Sequence, residues 1–128
     1  MVKTFENVEY ERITLTVDSQ GQVLTPDTYY TKAGHKEVFG IQMTTTDEQA
    51  LPGTTLQLSI DNREVFNNDF EVRLIHAGYD CPVNERAFNY INRKIDKSNV
   101  EIRLTDAGNA AAYPYTINIY LMVNSTTL

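Results

Sequence analysis

The chain has 128 residues, about the usual size of one domain, and we expect residues 1–128 to form a single domain. Its formal net charge of −6 argues against a groove for nucleic-acid phosphates, which clustered Lys and Arg would have to neutralise. The one cysteine, Cys81, cannot form an internal disulfide, and no stretch approaches the roughly 18 apolar residues of a membrane helix. The N-terminus lacks the apolar run of a secretory signal, so we expect synthesis in a reducing cytoplasm.

The first segment alternates apolar and polar residues with the period of a half-buried β-strand. Its apolar residues are at even positions in the first part and at odd positions in the second, so they would lie on opposite faces of one regular strand. The apolar residues before position 11 and after position 12 have opposite parity: Val8 and Tyr10, then Ile13, Leu15 and Val17. A β-bulge near Glu11 and Arg12 would produce this change. We therefore expect a first strand that changes face near its middle.

Short turns separate the next predicted strands. Residues 18–21 are turn formers, and a short strand begins at Val23-Leu24. Tyr29-Tyr30 leads into a second turn at residues 32–34. Residues 36–44 alternate as a strand whose inward side chains are predicted to be Phe39, Ile41 and Met43.

A β-hairpin is predicted in the middle of the chain. Residues 54–60 alternate as a strand, and Asp61-Asn62 suits the left-handed backbone of a two-residue type I′ turn. In that register Leu58 lies opposite Val65, so that the two apolar side chains share one face. Residues 70–76 alternate again, and we expect a strand whose inward side chains are Phe70, Val72, Leu74 and, at its end, His76.

One segment near the C-terminal third does not fit a strand. Residues 83–95 carry apolar side chains at helical spacing, and we expect a loop with a short helical stretch over one end of the fold. Residues 100–105 are predicted to form a strand, and residues 106–112 a flexible connection. The last strand is expected over residues 115–123, where alternation is cleanest.

The pattern as a whole predicts an all-β protein. About eight short strands separated by turn residues indicate a single jelly-roll-like antiparallel β-sandwich with a short helical loop. An immunoglobulin-like sandwich is less favoured, because this chain has no Trp and one Cys. The long crossover predicted between residues 77 and 99 also favours a jelly roll, since Greek-key folds need a long return.

No group of residues indicates catalysis or metal binding. His35 and His76 are the only histidines, and neither has a second ligand at the spacing of a metal site. Cys81 follows His76 along the chain, but a nucleophile also needs an imidazole within reach and an oxyanion site. The available carboxylate pairs lie in predicted turns, where water solvates them: Asp47 with Glu48, and Asp61 with Glu64. We therefore expect no enzyme, no catalytic or metal-binding residue and no cofactor.

The tyrosines are the better candidates for contacts. Tyrosine offers a large contact area with a polar tip, which suits an interface or a platform for sugars. Five tyrosines lie in or beside predicted loops and are our candidate contact residues: Tyr29, Tyr30, Tyr79, Tyr113 and Tyr115. The alternative is that these tyrosines cover the ends of the sandwich. Pro114 cannot donate a ladder hydrogen bond, so it indicates an edge or the start of a strand.

Several segments resemble small jelly-roll proteins of the crAss-like tailed phages of gut Bacteroidales, which are associated with the virion head. The resemblance covers about the C-terminal two thirds of the chain and lies in residues 56–60, 64–66, 69–75, 84–88 and 113–121. The resemblance is in the pattern of strand-forming segments and includes no functional residue that could be carried over. It implies a virion structural role in symmetric oligomers, often trimers, attached to a shell.

From this resemblance we expect a non-enzymatic, capsid-associated auxiliary or decoration protein. It would be made in the host cytoplasm and located on the virion head. Its partners would be other copies of itself, with a trimer favoured, and a capsid or head-fibre protein, but neither nucleic acid nor a membrane. The alternative is a carbohydrate-binding module of jelly-roll type, in which tyrosines stack on sugar rings. A cupin-type enzyme ranks third, because a cupin needs several histidines around one metal.

Overall fold

The computed structural model describes residues 8–76 and 92–124, which form two antiparallel β-sheets packed face to face. This part of the chain contains nine strands: β1 (Val8–Val17), β2 (Val23–Leu24), β3 (Tyr29–Tyr30), β4 (Glu37–Thr45), β5 (Thr55–Ile60), β6 (Arg63–Phe66), β7 (Arg93–Lys94), β8 (Asn99–Thr105) and β9 (Tyr115–Asn124). Two 3₁₀ turns cover Glu48–Ala50 and Val72–Ile75. Among the described residues there is no helix with the length and hydrophobicity that crossing a bilayer requires.

The strand order is that of a jelly roll. The first sheet has the order β1-β9-β4-β7, and the second has the order β2-β8-β5-β6, with β3 also paired to β8. Apart from the neighbours β2 and β3 and the hairpin of β5 and β6, each strand is followed by one in the opposite sheet. This alternation across the two sheets is the double Greek key of a jelly roll. The predicted all-β sandwich is confirmed.

The core lies between the sheets and follows the alternation that the sequence predicts. Four strands bury every second side chain there: Ile13, Leu15 and Val17 in β1; Leu56, Leu58 and Ile60 in β5; Val100, Ile102 and Leu104 in β8; Tyr115, Ile117, Ile119, Leu121 and Val123 in β9. Because successive side chains of a strand point to opposite faces, each of these strands presents its other side chains outward.

The first strand is not interrupted, which corrects the predicted bulge at Glu11 and Arg12. All ten residues of β1 pair with β9 in one unbroken register. Glu11 occupies a core-facing position and is only 1% exposed, whereas Tyr10 faces outward. The Tyr10 ring meets Tyr120 edge to face, with ring centroids 6.3 Å apart. The parity changes because a buried glutamate, and not an apolar residue, continues the inward row.

The bulges lie elsewhere. In β4 the register shifts between Val38 and Gly40, so that Val38 and Phe39 are both buried. In the β5–β6 hairpin a second shift follows Leu58, which therefore lies opposite Phe66 and not opposite Val65 as predicted. A bulge adds one residue to a strand, so the side chains beyond it point to the opposite face of the sheet from the one that simple alternation predicts.

The hairpin turn itself agrees with the prediction. Asp61 and Asn62 have φ values of 52° and 64°, the left-handed backbone that a type I′ turn requires. Asp61 also accepts hydrogen bonds from the Ser98 hydroxyl at 2.5 Å and the Asn99 amide at 3.2 Å. The hairpin is thus attached to the turn that precedes β8.

The strand predicted over residues 70–76 is wrong. After a single bridge at Glu71, the chain forms the 3₁₀ turn Val72–Ile75. With three residues per turn, Val72 and Ile75 share one buried side, whereas Leu74 is 63% exposed. The helical stretch expected over residues 83–95 lies mostly outside the described residues, and at its end the structure has the short strand β7.

Candidate functional site

One end of the sandwich is closed by a buried carboxylate that joins three segments. Glu11 projects inward from β1, Tyr29 belongs to β3, and His35 lies in the loop before β4. Glu11 Oε2 is 2.6 Å from His35 Nδ1, and Glu11 Oε1 accepts hydrogen bonds from the Tyr29 hydroxyl at 2.7 Å and the Lys32 amide at 3.0 Å. The second ring nitrogen of His35, Nε2, is 2.6 Å from Glu9 Oε2. We call Glu9, Glu11, Tyr29 and His35 the histidine cluster.

Both nitrogens of His35 face carboxylate oxygens, so both act as donors and the ring is a cation. Burial alone would lower the pKa of His35, but the hydrogen bonds and negative charges of Glu11 and Glu9 raise it above its ordinary value. The pKa of Tyr29 is raised by burial and by its bond to Glu11. The cluster therefore holds a buried ion pair that ties β1 to the opposite sheet.

The geometry does not suit a metal ion. The carboxylates of Glu9 and Glu11 bind opposite nitrogens of the His35 ring, so these groups do not converge on one point. Across residues 8–76 and 92–124, no three His, Cys, Asp or Glu side chains are arranged to hold a metal. His76 is 3.6 Å from Glu48 at a separate site. Cys81 lies outside the described residues, so a Cys81–His76 pair stays untested.

The opposite end is closed in a similar way by Asp106. Its two carboxylate oxygens accept hydrogen bonds from the hydroxyls of Tyr113 and Tyr115, each at 2.6 Å, and from the Gly21 and Gly108 amides at 2.9 and 3.1 Å. Burial would raise the pKa of Asp106, but these four hydrogen bonds lower it. The start of the connection predicted to be flexible is therefore a buried anchor.

These contacts explain where the candidate tyrosines lie. Tyr115 is buried at 2% exposure, and its ring and those of Tyr29 and Tyr113 pack on the core while their hydroxyls bind Glu11 or Asp106. Tyr30 is the exposed member, at 64%. Tyr79 lies outside the described residues. For Tyr29, Tyr113 and Tyr115, the structure supports the alternative that tyrosines cover the ends of the sandwich, and Tyr30 remains open to a partner.

The predicted carboxylate pairs also have structural contacts. Asp47 accepts hydrogen bonds from the Gln49 amide at 3.0 Å, which caps the first 3₁₀ turn, and from the Ala111 amide at 2.7 Å. Asp61 holds the turn before β8, as described above. Both aspartates therefore stabilise loops, and neither forms a paired acid and base with its neighbouring glutamate.

The sheet edges differ in how well they are protected. Strand edges expose unpaired backbone groups, which proteins protect with short strands, prolines, bulges and charges. Among the described residues, β7 consists of only Arg93 and Lys94, and the edge formed by β2 and β3 is interrupted at Pro26. The β6 edge has four residues and a bulge, and Arg93 donates to its Glu64 carbonyl at 2.7 Å.

The β1 edge carries charges only in its first half, at Glu9, Glu11 and Arg12, and lacks the other protections. It is ten residues long and contains no Pro, no Gly and no bulge. Its outward side chains after Tyr10 are Arg12, Thr14 and Thr16, all of which are exposed. Within the described residues, no strand other than β9 pairs with it. The β1 edge is therefore the candidate interaction site.

A second candidate is a polar groove on the outer face of the β8 sheet. Its volume is about 280 Å³, and its floor carries Gln57, Ser59, Glu101 and Arg103, with threonines of the β2–β3 connection along one side. Tyr30 lies beyond Thr28 on the same face of the chain. Amide, hydroxyl and charged groups beside an exposed ring could hold a sugar.

No protein-family model matches the chain, and no curated protein or solved structure matches it either. The resemblance to phage head proteins therefore stays a prediction.

Sequence reasoning missed the histidine cluster and the Asp106 anchor. Glu11 and His35 are 24 residues apart, and no spacing rule connects them. The available signal was the parity of Glu9 and Glu11, which share the inward side of β1 with Ile13. Charged residues at inward strand positions are a known feature of protected edges, so parity alone could have indicated that Glu11 points inward, whereas the Glu9 side chain is 59% exposed.

Proposed function

We propose that this protein is a non-enzymatic structural component of a phage virion. It binds other copies of itself and a capsid or head-fibre protein, and a trimer is the oligomer that the phage resemblance favours. The observation that carries the proposal is the β1 edge, which is ten residues long without proline, glycine or bulge, whereas the other edges of the described sheets are short, interrupted or bulged. Such an edge supports association through backbone hydrogen bonds and requires no catalytic group.

The buried ionisable groups support a structural role. Glu11 and His35 bind each other, and Asp106 accepts four hydrogen bonds from groups that surround it. Two of these contacts join distant parts of the chain: Glu11 with His35, 24 residues apart, and Asp106 with Gly21, 85 residues apart. A general acid or base must instead reach a substrate, and these groups direct their polar atoms toward the protein.

The proposal is tested with the recombinant full chain and with particles of a phage that encodes it. We expect light scattering over a wide range of concentration to show a homo-oligomer, and peptide mass spectrometry of purified particles to detect the chain. A chain that stays monomeric and is missing from the particles would contradict the proposal.

The polar groove favours a carbohydrate-binding module as the second candidate. If the groove holds sugars, glycans will change tyrosine fluorescence, and the Tyr30→Ala and Gln57→Ala variants will lose that response. Tyr10→Ala is the matched control, because Tyr10 is an exposed tyrosine on the other sheet. A monomer that binds glycans in this way would replace the virion proposal.

A further inference from the structure

We propose that the β1 edge pairs with the same edge of a second copy, antiparallel and about a two-fold axis at Leu15. In this arrangement Arg12 lies opposite the partner's Asp18, and Thr14 lies opposite the partner's Thr16. The inference deepens the self-association in the proposed function, on which it rests, by naming one interface and its register. A two-fold pair closes as a dimer, so the trimer that the phage resemblance favours would need a second, different surface.

The backbone of β1 is suited to this pairing. The strand keeps an unbroken register with β9 over ten residues, so its outer side carries regularly spaced donors and acceptors. In the described part of the chain, no backbone–backbone hydrogen bond joins residues 8–17 to any segment other than β9. A second extended strand would satisfy the outer groups that it overlaps, and about an axis at Leu15 the two copies overlap over residues 12–18.

The outward side chains select the register. Arg12 and Asp18 are exposed, and neither side chain has a hydrogen-bond or ion-pair partner in the described part of the chain. Residues directly opposite each other in an antiparallel pair share one face, so their numbers must sum to an even value. A sum of 30 places Arg12 opposite the partner's Asp18, twice by symmetry, and the Thr14–Thr16 pair likewise occurs twice.

Neighbouring registers lack these pairs. An axis at Thr14 would place Arg12 opposite the partner's Thr16, and an axis at Arg12 would bring two like charges together. Opposite charges and threonine pairs stabilise cross-strand contacts, whereas like charges destabilise them. The charges on this edge are thus complementary to a second copy in one register.

The inward side chains are compatible with the same register. Leu15 lies opposite the partner's Leu15, and Ile13 lies opposite the partner's Val17. These side chains are buried in each monomer, so the apolar row would continue from one sandwich into the next. A single paired strand buries less than the roughly 1,200 Å² of a stable interface, so we expect a dimer that dissociates on dilution.

Mixed disulfide crosslinking tests the register directly. Two proteins are prepared in a Cys81→Ser background, one with Thr14→Cys and the other with Thr16→Cys. Opposite residues have Cα atoms about 4.5–5.5 Å apart, within the range that a disulfide spans. We expect mild oxidation to give covalent dimers in the mixture and far fewer in either protein alone. Crosslinking of Thr14→Cys alone to the same extent would overturn the register.

Charge reversal gives a second test that does not depend on cysteine. Arg12→Asp should raise the dimer dissociation constant by about tenfold, since two cross-strand pairs become repulsive. The double variant Arg12→Asp with Asp18→Arg should restore it. Arg63→Asp, which makes the same charge change on the β6 edge, is the control, and circular dichroism checks that each variant is folded.

The outcomes separate this interface from the proposed function. A chain that oligomerises by light scattering but gives no mixed crosslink and ignores the charge reversal would overturn the β1 interface and leave the virion role standing. Crosslinks in the mixture together with absence from phage particles would support the interface and contradict the virion role. A strict monomer would overturn the interface.

Discussion

At the scale of single residues, the protein closes both open ends of its sandwich with a buried carboxylate. Burying a charge costs several kcal/mol unless partners compensate it. Glu11 has a histidine cation, a tyrosine hydroxyl and a backbone amide, and Asp106 has two hydroxyls and two amides. Removing one partner would therefore leave a buried charge incompletely satisfied.

The histidine cluster makes stability depend on pH. The pKa of His35 is raised in the folded protein, so folding favours its protonated form. This stabilisation is complete below the unfolded pKa of about 6.5 and is lost as the pH rises through the higher folded value. We expect the free energy of unfolding, measured with urea at a series of pH values, to fall as the solution becomes alkaline.

The two histidines provide matched variants for this measurement. His35→Gln should lower stability near neutral pH and flatten the slope above it. His76→Gln is the matched control, because it makes the same substitution at a histidine outside the histidine cluster. Parallel curves for the wild type and His35→Gln would show that the cluster does not titrate as described.

At the scale of elements, the β5–β6 hairpin depends on two left-handed residues. Asn62 has a φ of 64°, a conformation that asparagine tolerates and β-branched residues do not. Its partner in the turn, Asp61, is bonded to the segment before β8. The turn therefore stabilises the register of the hairpin and also its attachment to the sheet.

This turn gives a simple pair of variants. Asn62→Gly should keep or raise the melting temperature, because glycine adopts the left-handed backbone without cost and suits a type I′ turn. Asn62→Val should destabilise the protein by about 1 kcal/mol or more, since its Cβ is strained there. Thermal unfolding followed by circular dichroism compares the two, and equal melting temperatures would argue against the turn.

The sequence predicts most strands but not where they deviate from regularity. Alternation correctly locates the inward rows of β5, β8 and β9, because those rows are purely apolar. It fails at Glu11, whose inward position depends on partners distant in the chain. It also fails at Val65 and Leu74, because a bulge and a 3₁₀ turn change facing without a local signal. The β1 edge could not be identified from sequence, since only the topology shows which strands lie outermost.

At the scale of the whole molecule, the first and last described strands are neighbours. Val8 pairs with Asn124, and Val17 pairs with Tyr115, so the β1 ladder closes across nearly the whole described chain. β9 in turn lies between β1 and β4. The first sheet therefore cannot form before residues 115–124 have been made.

The pairing of β9 with both β1 and β4 predicts cooperative unfolding. We expect far-ultraviolet circular dichroism and tyrosine fluorescence to report one coincident transition in urea, as a single domain requires. The fluorescence sums eight tyrosines, which include Tyr115 at one end of the sandwich and Tyr29 at the other. Transitions that separate by probe would contradict the prediction that residues 1–128 form one domain.

Among the described strands β1 offers the one long, regular edge, and this limits how far the protein can assemble. A sandwich with two such edges could add copies indefinitely and polymerise into a fibre, because each addition would expose a fresh template. The other edges of the described sheets are short, interrupted or charged. When two copies pair through β1, both β1 edges become hydrogen-bonded, and no further copy can add there. Concentrated solutions should therefore contain no fibres. Any oligomer larger than a dimer must form through side-chain surfaces and not through β1.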